Sequence, residues 1–198
     1  MPLSLSILAS ASTIRAAILR GAGVGFSQRR PEVDEAAIKS ACVREGLNLE
    51  ETAMRLAEAK ALAVRGGESA YTLGSDQILE HASRAYDKAA SIDEARARLQ
   101  VLQGGEHSLI NAVAIATDGE IIWRHLDRPR LIMRPLTPGQ IDAYLAEAGD
   151  GVLSSVGAYQ VEGLGARLFE RIDGDYFAVL GLSLFPLLTF LRRAGMVE

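Results

Sequence analysis

The chain has 198 residues, 48% of them hydrophobic and 23% charged, with a formal net charge of −4. That length and apolar share suit one domain spanning 1–198, and the acidic balance argues against a nucleic-acid polymer as partner. A lone cysteine, Cys42, excludes an internal disulfide framework, and no apolar run reaches the length of a membrane span; no secretory leader is legible, so a cytoplasmic, soluble protein without a membrane partner is the default expectation.

Ser4 to Leu8 alternates polar and apolar residues, as a half-buried strand does. Ala9-Ser10-Ala11-Ser12 follows with small and hydroxylic side chains, which let the backbone come close to a ligand. Thr13 to Arg20 then sets Ile14, Ala17 and Ile18 on one helical face. A strand ending in small residues at a helix N-terminus leaves N–H groups outward at the positive end of the helix dipole, which favours phosphate or carboxylate. Arg15, one turn in, adds a fork of donors. The plainer reading is a strand-to-helix turn with a serine cap.

Gly21-Ala22-Gly23 stops that helix, Val24 to Arg30 reads as a strand, and Pro31 ends it. Glu32, Asp34 and Glu35 could ligate a hard cation or form the acidic first turn of a helix over Ala36 to Glu45. Glu50 to Arg65 carries Ala53, Leu56, Ala57, Lys60, Ala61 and Val64 at helical spacing. A lysine in such a stripe either snorkels, the commoner case, or pairs with an anion. Ala70 to Leu73 reads as a short strand running into Gly74-Ser75-Asp76-Gln77. An aspartate at the C-terminal edge of a strand stands where ligands of open α/β sheets gather; it can hold a metal, take a proton from water, or simply make an Asx turn.

Glu80 to Ala85 reads as loop, and Ser91 to Leu102 as a helix with Ser91 and Glu94 in a capping box. His107 to Thr117 and Glu120 to Arg134 read as two strands joined by an Asp118-Gly119 hairpin turn. His107 and His125 have no third ligand nearby, which argues against zinc. Thr137-Pro138 opens a helix to about Ala148. Gly149 to Gly165 is glycine-rich and bends closely around a ligand or a neighbouring strand. Leu168 to Ile172 and Tyr176 to Leu180 read as strands around Asp173-Gly174, and Ser183 to Arg193 as a final apolar helix.

These stretches, in this order, resemble the Maf family of nucleotide pyrophosphatases nearly end to end. Ile7 to Ser12 looks like the family's opening Leu-Ala-Ser-x-Ser loop, and Arg15 matches the second arginine of its Ser-Pro-Arg-Arg motif. Pro31 to Glu35 matches the acidic motif, Lys60 the helix lysine, Gly74 to Gln77 the Gly-(Ala/Ser)-Asp-(Thr/Gln) motif, Lys88 the lysine of Gly-Lys-Pro, and Gly157 to Gly163 the late glycine segment. The resemblance implies an α/β fold, a long mixed sheet flanked by helices in two lobes with a central cleft. It also implies a homodimer, a Mg²⁺ or Mn²⁺ cofactor, and hydrolysis of a nucleoside triphosphate to monophosphate and pyrophosphate. Asp76 would be the proton acceptor, with Glu32 and Asp76 on the metal and Ser10, Ser12, Arg15, Lys60 and Lys88 on the triphosphate.

Three departures stand out. Thr13-Ile14 replaces the usual Pro-Arg, Asp87-Lys88-Ala89 replaces Gly-Lys-Pro, and Asn111 stands where threonine is usual. Family positions linked to base selectivity fall on Ile14, Gln77 and Glu162; Gln77 and Glu162 resemble the branch that prefers 7-methyl-GTP over dTTP and UTP. A buried carboxylate accepts the adjacent N–H groups of guanine but repels the carbonyls that flank the single N–H of thymine or uracil. A solvent-facing Glu162 is the alternative. The competing functions are a dTTP/UTP pyrophosphatase, a phosphatase releasing orthophosphate, and a nucleotide-binding regulator without turnover.

Overall fold

A computed structural model describes residues 3–196. It is a mixed α/β structure with an eight-stranded sheet, ordered β2-β1-β3-β5-β7-β8, to which β4 adds on β3 and β6 on β5. The strands are β1 (Leu3–Ala9), β2 (Val24–Arg29), β3 (Thr72–His81), β4 (Arg84–Tyr86), β5 (Glu106–Thr117), β6 (Glu120–Asp127), β7 (Arg130–Met133) and β8 (Phe169–Asp173). The helices are α1 (Thr13–Gly21), α2 (Glu35–Arg44), α3 (Leu49–Ala63), α4 (Ile92–Leu102), α5 (Pro138–Ala148), α6 (Tyr176–Val179) and α7 (Leu184–Arg193), with 3₁₀ turns at Gly149–Ser154 and Leu164–Leu168.

The chain divides into two compact units. The first holds residues 1–77, 111–127 and 175–198, and the second holds 78–110 and 128–174. In the first unit β1 is flanked by parallel partners, β2 and β3. Its core gathers Leu5 and Leu8 from β1, Ile18 and Leu19 from α1, Leu73 from β3, Val113 and Ile115 from β5, and Leu184, Leu187 and Leu191 from α7. On α1 the core takes Ala16, Ile18 and Leu19, with Ile14 packed against it, while Ala17, expected on the apolar face, is exposed; on β1 it takes Leu5 and Leu8, three residues apart, rather than one period-2 face. In the second unit α4 packs against α5, and Leu99, Leu102, Leu131, Ile141 and Leu145 are buried.

Local signals set most element ends. Ser12 Oγ accepts the Arg15 N–H (3.3 Å) at the start of α1, and Asp34 Oδ1 accepts the Ala37 N–H (2.9 Å) at the start of α2. Asp118 and Gly119 both adopt positive φ, +51° and +86°, as a two-residue type I′ hairpin turn requires. The capping pair at α4 is shifted by one residue: Ser91 Oγ accepts the Glu94 N–H (3.2 Å), while Glu94 reaches back to the Ala90 N–H (2.8 Å) rather than to that of Ser91.

Four expectations are corrected. The strand expected over Ala70 to Leu73 runs from Thr72 to His81, and the expected loop from Glu80 to Ala85 is instead a β3–β4 hairpin, with Leu79 opposite Tyr86 and His81 opposite Arg84. The apolar pair Ile78-Leu79 restarts the strand after its polar middle. The long strand from Glu120 to Arg134 is two strands, because Pro129 cannot donate to a ladder; β6 pairs the C-terminal half of β5 and β7 its N-terminal end. Tyr176 to Leu180 is not a strand but the short helix α6, nucleated by Asp175, whose Oδ1 accepts the Ala178 N–H (2.9 Å).

Candidate active site

In the first unit, Ala9, the last residue of β1, pairs with Gly74 of β3, so β3 carries Ser75, Asp76 and Gln77 past the end of its parallel neighbour. Asp76 therefore lies in mid-strand rather than at a strand's end or in an Asx turn, yet beyond the carboxyl end of β1, next to the turn that opens α1. The reason is Gly74. A Cβ there would stand 2.1 Å from the Ala57 carbonyl oxygen and 2.5 Å from the Ala61 nitrogen. Only glycine lets β3 approach the α3 backbone this closely, and that approach sets Lys60 over Asp76.

Lys60 does not snorkel. Its ammonium is buried and lies 2.6 Å from Asp76 Oδ1 and 2.8 Å from Glu35 Oε1. Two carboxylates from separate elements thus converge on one cation. Arg15 belongs to the same cluster: burial holds its guanidinium below the ordinary arginine pKa, against the opposing pull of Asp76 and Glu35. Its Nε donates to the Gly181 carbonyl (2.7 Å) and its Nη1 to Ser10 Oγ (3.4 Å). Ser10 Oγ also accepts the Ser12 N–H (3.1 Å), and Gln28 Nε2 fastens the turn from outside through the carbonyls of Ser10 (2.9 Å) and Ser12 (3.2 Å). So Ser10, Ser12, Arg15, Lys60 and Asp76 are brought together by the β1–α1 turn, α1, α3 and β3.

The Gly181 carbonyl is a hub that sequence reasoning missed. Besides Arg15 it accepts the Ser75 hydroxyl (3.1 Å). Asn111, fully buried, turns its amide so that Nδ2 donates to Gly181 (3.0 Å) and Oδ1 accepts the Ser183 N–H (3.2 Å) and hydroxyl (2.8 Å), the orientation that satisfies both ends. Gln77 spends both amide hydrogens on the carbonyls of Ala178 (3.0 Å) and Val179 (3.1 Å). Its Oε1 is left as the end that can meet a ligand, and it can only accept. Ile14 is partly buried against the core of this unit.

Glu35, not Glu32, faces Asp76 across the ammonium; Glu32 is exposed, and Asp34 caps α2. The signal for Glu35 was its place in the acidic motif. Among the described residues no group of three or more His, Cys, Asp or Glu side chains could hold a metal. Two carboxylates on one point still fit a hard ion of the Mg²⁺ type, which takes one or two carboxylates and completes its shell with phosphate and water.

The other expected residues belong to the second unit. Lys88 lies on the exposed segment between β4 and α4. Arg98, another residue not foreseen, braces that segment: its Nη1 donates to the carbonyls of Asp87 (2.8 Å) and Val156 (2.6 Å), and its guanidinium lies 4.5 Å above the Tyr86 ring. Arg98 thereby ties the Lys88 segment to the start of the glycine segment. Glu162 is exposed on a turn, where water solvates it, so the buried carboxylate considered from sequence is not what the fold provides. The close bend of the glycine segment wraps its own Tyr159 ring, since a Cβ on Gly157 would stand 2.1 Å from it.

The family model described as "Maf-like protein" matches residues 6–194. A nucleoside triphosphate pyrophosphatase of Hyphomonas neptunium is 47% identical over 191 residues, covering 96% of each chain. A 7-methyl-GTP pyrophosphatase of Rhizobium meliloti is 44% identical over 195 residues, 98% of each, as is a nucleoside triphosphate pyrophosphatase of Caulobacter vibrioides.

Proposed function

Since the chain belongs to the family of Maf-like proteins, we propose that it hydrolyses a nucleoside triphosphate between the α- and β-phosphorus atoms, releasing monophosphate and pyrophosphate. The observation that carries this reading is the meeting of Asp76, Lys60, Glu35 and Arg15 beside the N-terminus of α1. The Ser10–Ser12 turn and the first N–H groups of α1 bind phosphate oxygens, and Arg15 and Lys60 neutralise their charge. Asp76 orients the attacking water and accepts its proton as the bond to the α-phosphorus forms. Glu35 and Asp76 would hold a Mg²⁺ or Mn²⁺ ion, whose charge lowers the cost of the negative charge that builds on the leaving pyrophosphate.

7-methyl-GTP is the favoured substrate within this reading. Gln77 can only accept a hydrogen bond from a ligand, because both of its amide hydrogens are engaged with backbone carbonyls. An acceptor suits the N–H-rich edge of guanine better than the carbonyls of thymine or uracil. Relatives that carry the 7-methyl-GTP name at 44% and 43% identity support the same direction.

The test is a nucleotide panel with Mg²⁺ or Mn²⁺ that includes 7-methyl-GTP, dTTP and UTP, with pyrophosphate and orthophosphate measured separately. The expected result is pyrophosphate, fastest from 7-methyl-GTP, with turnover lost in Asp76→Asn by about a thousandfold, as for removal of a catalytic base. Binding without product on long incubation would identify a regulator instead, and orthophosphate as first product a phosphatase.

A further inference from the structure

We propose that Lys60 is a displaceable counter-ion: its ammonium occupies the point between Glu35 and Asp76 that a divalent metal ion needs, and gives it up only when nucleotide phosphates arrive to receive it. The inference rests on the function proposed above and deepens it, making metal and nucleotide binding mutually dependent.

The geometry has three parts. The ammonium sits at hydrogen-bond distance from both carboxylates, 2.6 Å from Asp76 and 2.8 Å from Glu35. A divalent ion held by the same oxygens cannot share that space with it. Next, the charges already cancel: Arg15 and Lys60 oppose Glu35 and Asp76, one for one. An ion entering alone would bring two positive charges into a neutral cluster in which Lys60 and Asp76 are buried and only Glu35 is open to solvent, and it would be repelled by both cations at short range. Finally, the two cations differ in freedom. Arg15 is pinned through Nε to the Gly181 carbonyl at 2.7 Å and through Nη1 to Ser10 at 3.4 Å. Lys60 is held by the two carboxylates and carries a point charge on a flexible four-carbon stem. Lys60 is therefore the group that can move, and a polyphosphate is the anion that can take it. By reciprocity, whatever phosphate does for metal affinity, metal does for phosphate affinity.

The test titrates Mn²⁺ into the whole chain without nucleotide, read by calorimetry and by the Mn²⁺-induced change in Tm. Lys60→Met removes the charge and keeps the length. It is expected to bind Mn²⁺ about ten- to a hundredfold more tightly than the unaltered chain, the scale set by deleting one unit charge a few ångströms away. Its Tm is expected to rise more on adding Mn²⁺. The gain is expected to vanish in the double variant with Asp76→Asn, which locates the ion. Should Lys60→Met fail to fold, Lys60→Gln carries the same expectation, because its amide can still donate to the carboxylates. Equal or weaker Mn²⁺ binding in the charge-deleted variant overturns the proposal, as does a gain that survives Asp76→Asn. No turnover is needed for this readout, so a chain that releases no pyrophosphate would reject the function above and leave the counter-ion test standing.

Discussion

Asn111 illustrates how much one buried polar side chain can decide. The family motif resembled by this chain has threonine there; a hydroxyl both donates and accepts but from one atom, whereas the amide donates to the Gly181 carbonyl from Nδ2 and accepts from Ser183 at a separate atom, Oδ1. Asn111 thus holds the residue 181–183 corner against β5, and that corner holds Arg15. Asn111→Leu would keep the volume but strip the buried Ser183 N–H and hydroxyl of their acceptor. The expected cost is about 2 kcal/mol, the penalty of leaving a buried donor unpaired, read as a lower urea midpoint at unchanged m-value. A loss below a few tenths would mean that Ser183 finds another partner. At this scale residue types are legible in the sequence and side-chain directions are not. Nothing in Gly-Ser-Asp-Gln says that Gln77 turns its hydrogens toward α6.

At the scale of elements, the site depends on one helix lying unusually close to one strand. Helix α3 offers Ala53, Ala57 and Ala61 on its buried face, and β3 answers with Gly74. The approach is what turns Lys60, an apolar-stripe lysine by sequence, into the partner of Asp76. Gly74→Ala would force a methyl onto helix backbone, which cannot swing aside as a side chain can. A destabilisation of about 3 kcal/mol is expected from such overpacking, seen as a lower Tm, together with loss of pyrophosphate release as Lys60 is pushed off Asp76. Wild-type stability in this variant would show that α3 can slide away at little cost. Periodicity identified α3 and its buried stripe. It could not give the distance to β3, because packing partners are absent from a helical wheel.

For the whole molecule, stability in acid follows from a buried histidine in the second unit. His107 is 2% exposed, bonded through Nε2 to the Tyr159 hydroxyl (2.6 Å), with the Phe169 ring 6.0 Å away. Burial, aided by the nearby His81, pushes its pKa from 6.5 down to about 4. As pH falls through about 6.5 the unfolded chain takes up a proton at this residue and the folded chain does not. Stability therefore falls with pH down to about 4, by up to about 3 kcal/mol, and this contribution levels off below. In urea unfolding from pH 7 to 4, His107→Gln is expected to flatten that dependence by about one proton while keeping an acceptor for Tyr159. An unchanged slope would assign the acid sensitivity to other groups.

Much of the element list and the order of chemistry-bearing residues along the chain could be read without coordinates, because turn formers, helix caps and apolar periods act over a few residues. Ser12 as the cap of α1, the Asp118-Gly119 hairpin and the apolar helix over Ser183 to Arg193 are of this kind. The misreadings at Glu80 to Ala85 and Tyr176 to Leu180 arose where short apolar runs fit a strand, a helix or a loop equally well, and pairing or a cap had to choose. What the tertiary structure alone decided is which charges meet. Glu35, Lys60 and Asp76 are separated by 25 and 16 positions in the sequence. Only the parallel register of β1 with β3, and the glycine that lets α3 down onto the sheet, brings two carboxylates to one ammonium.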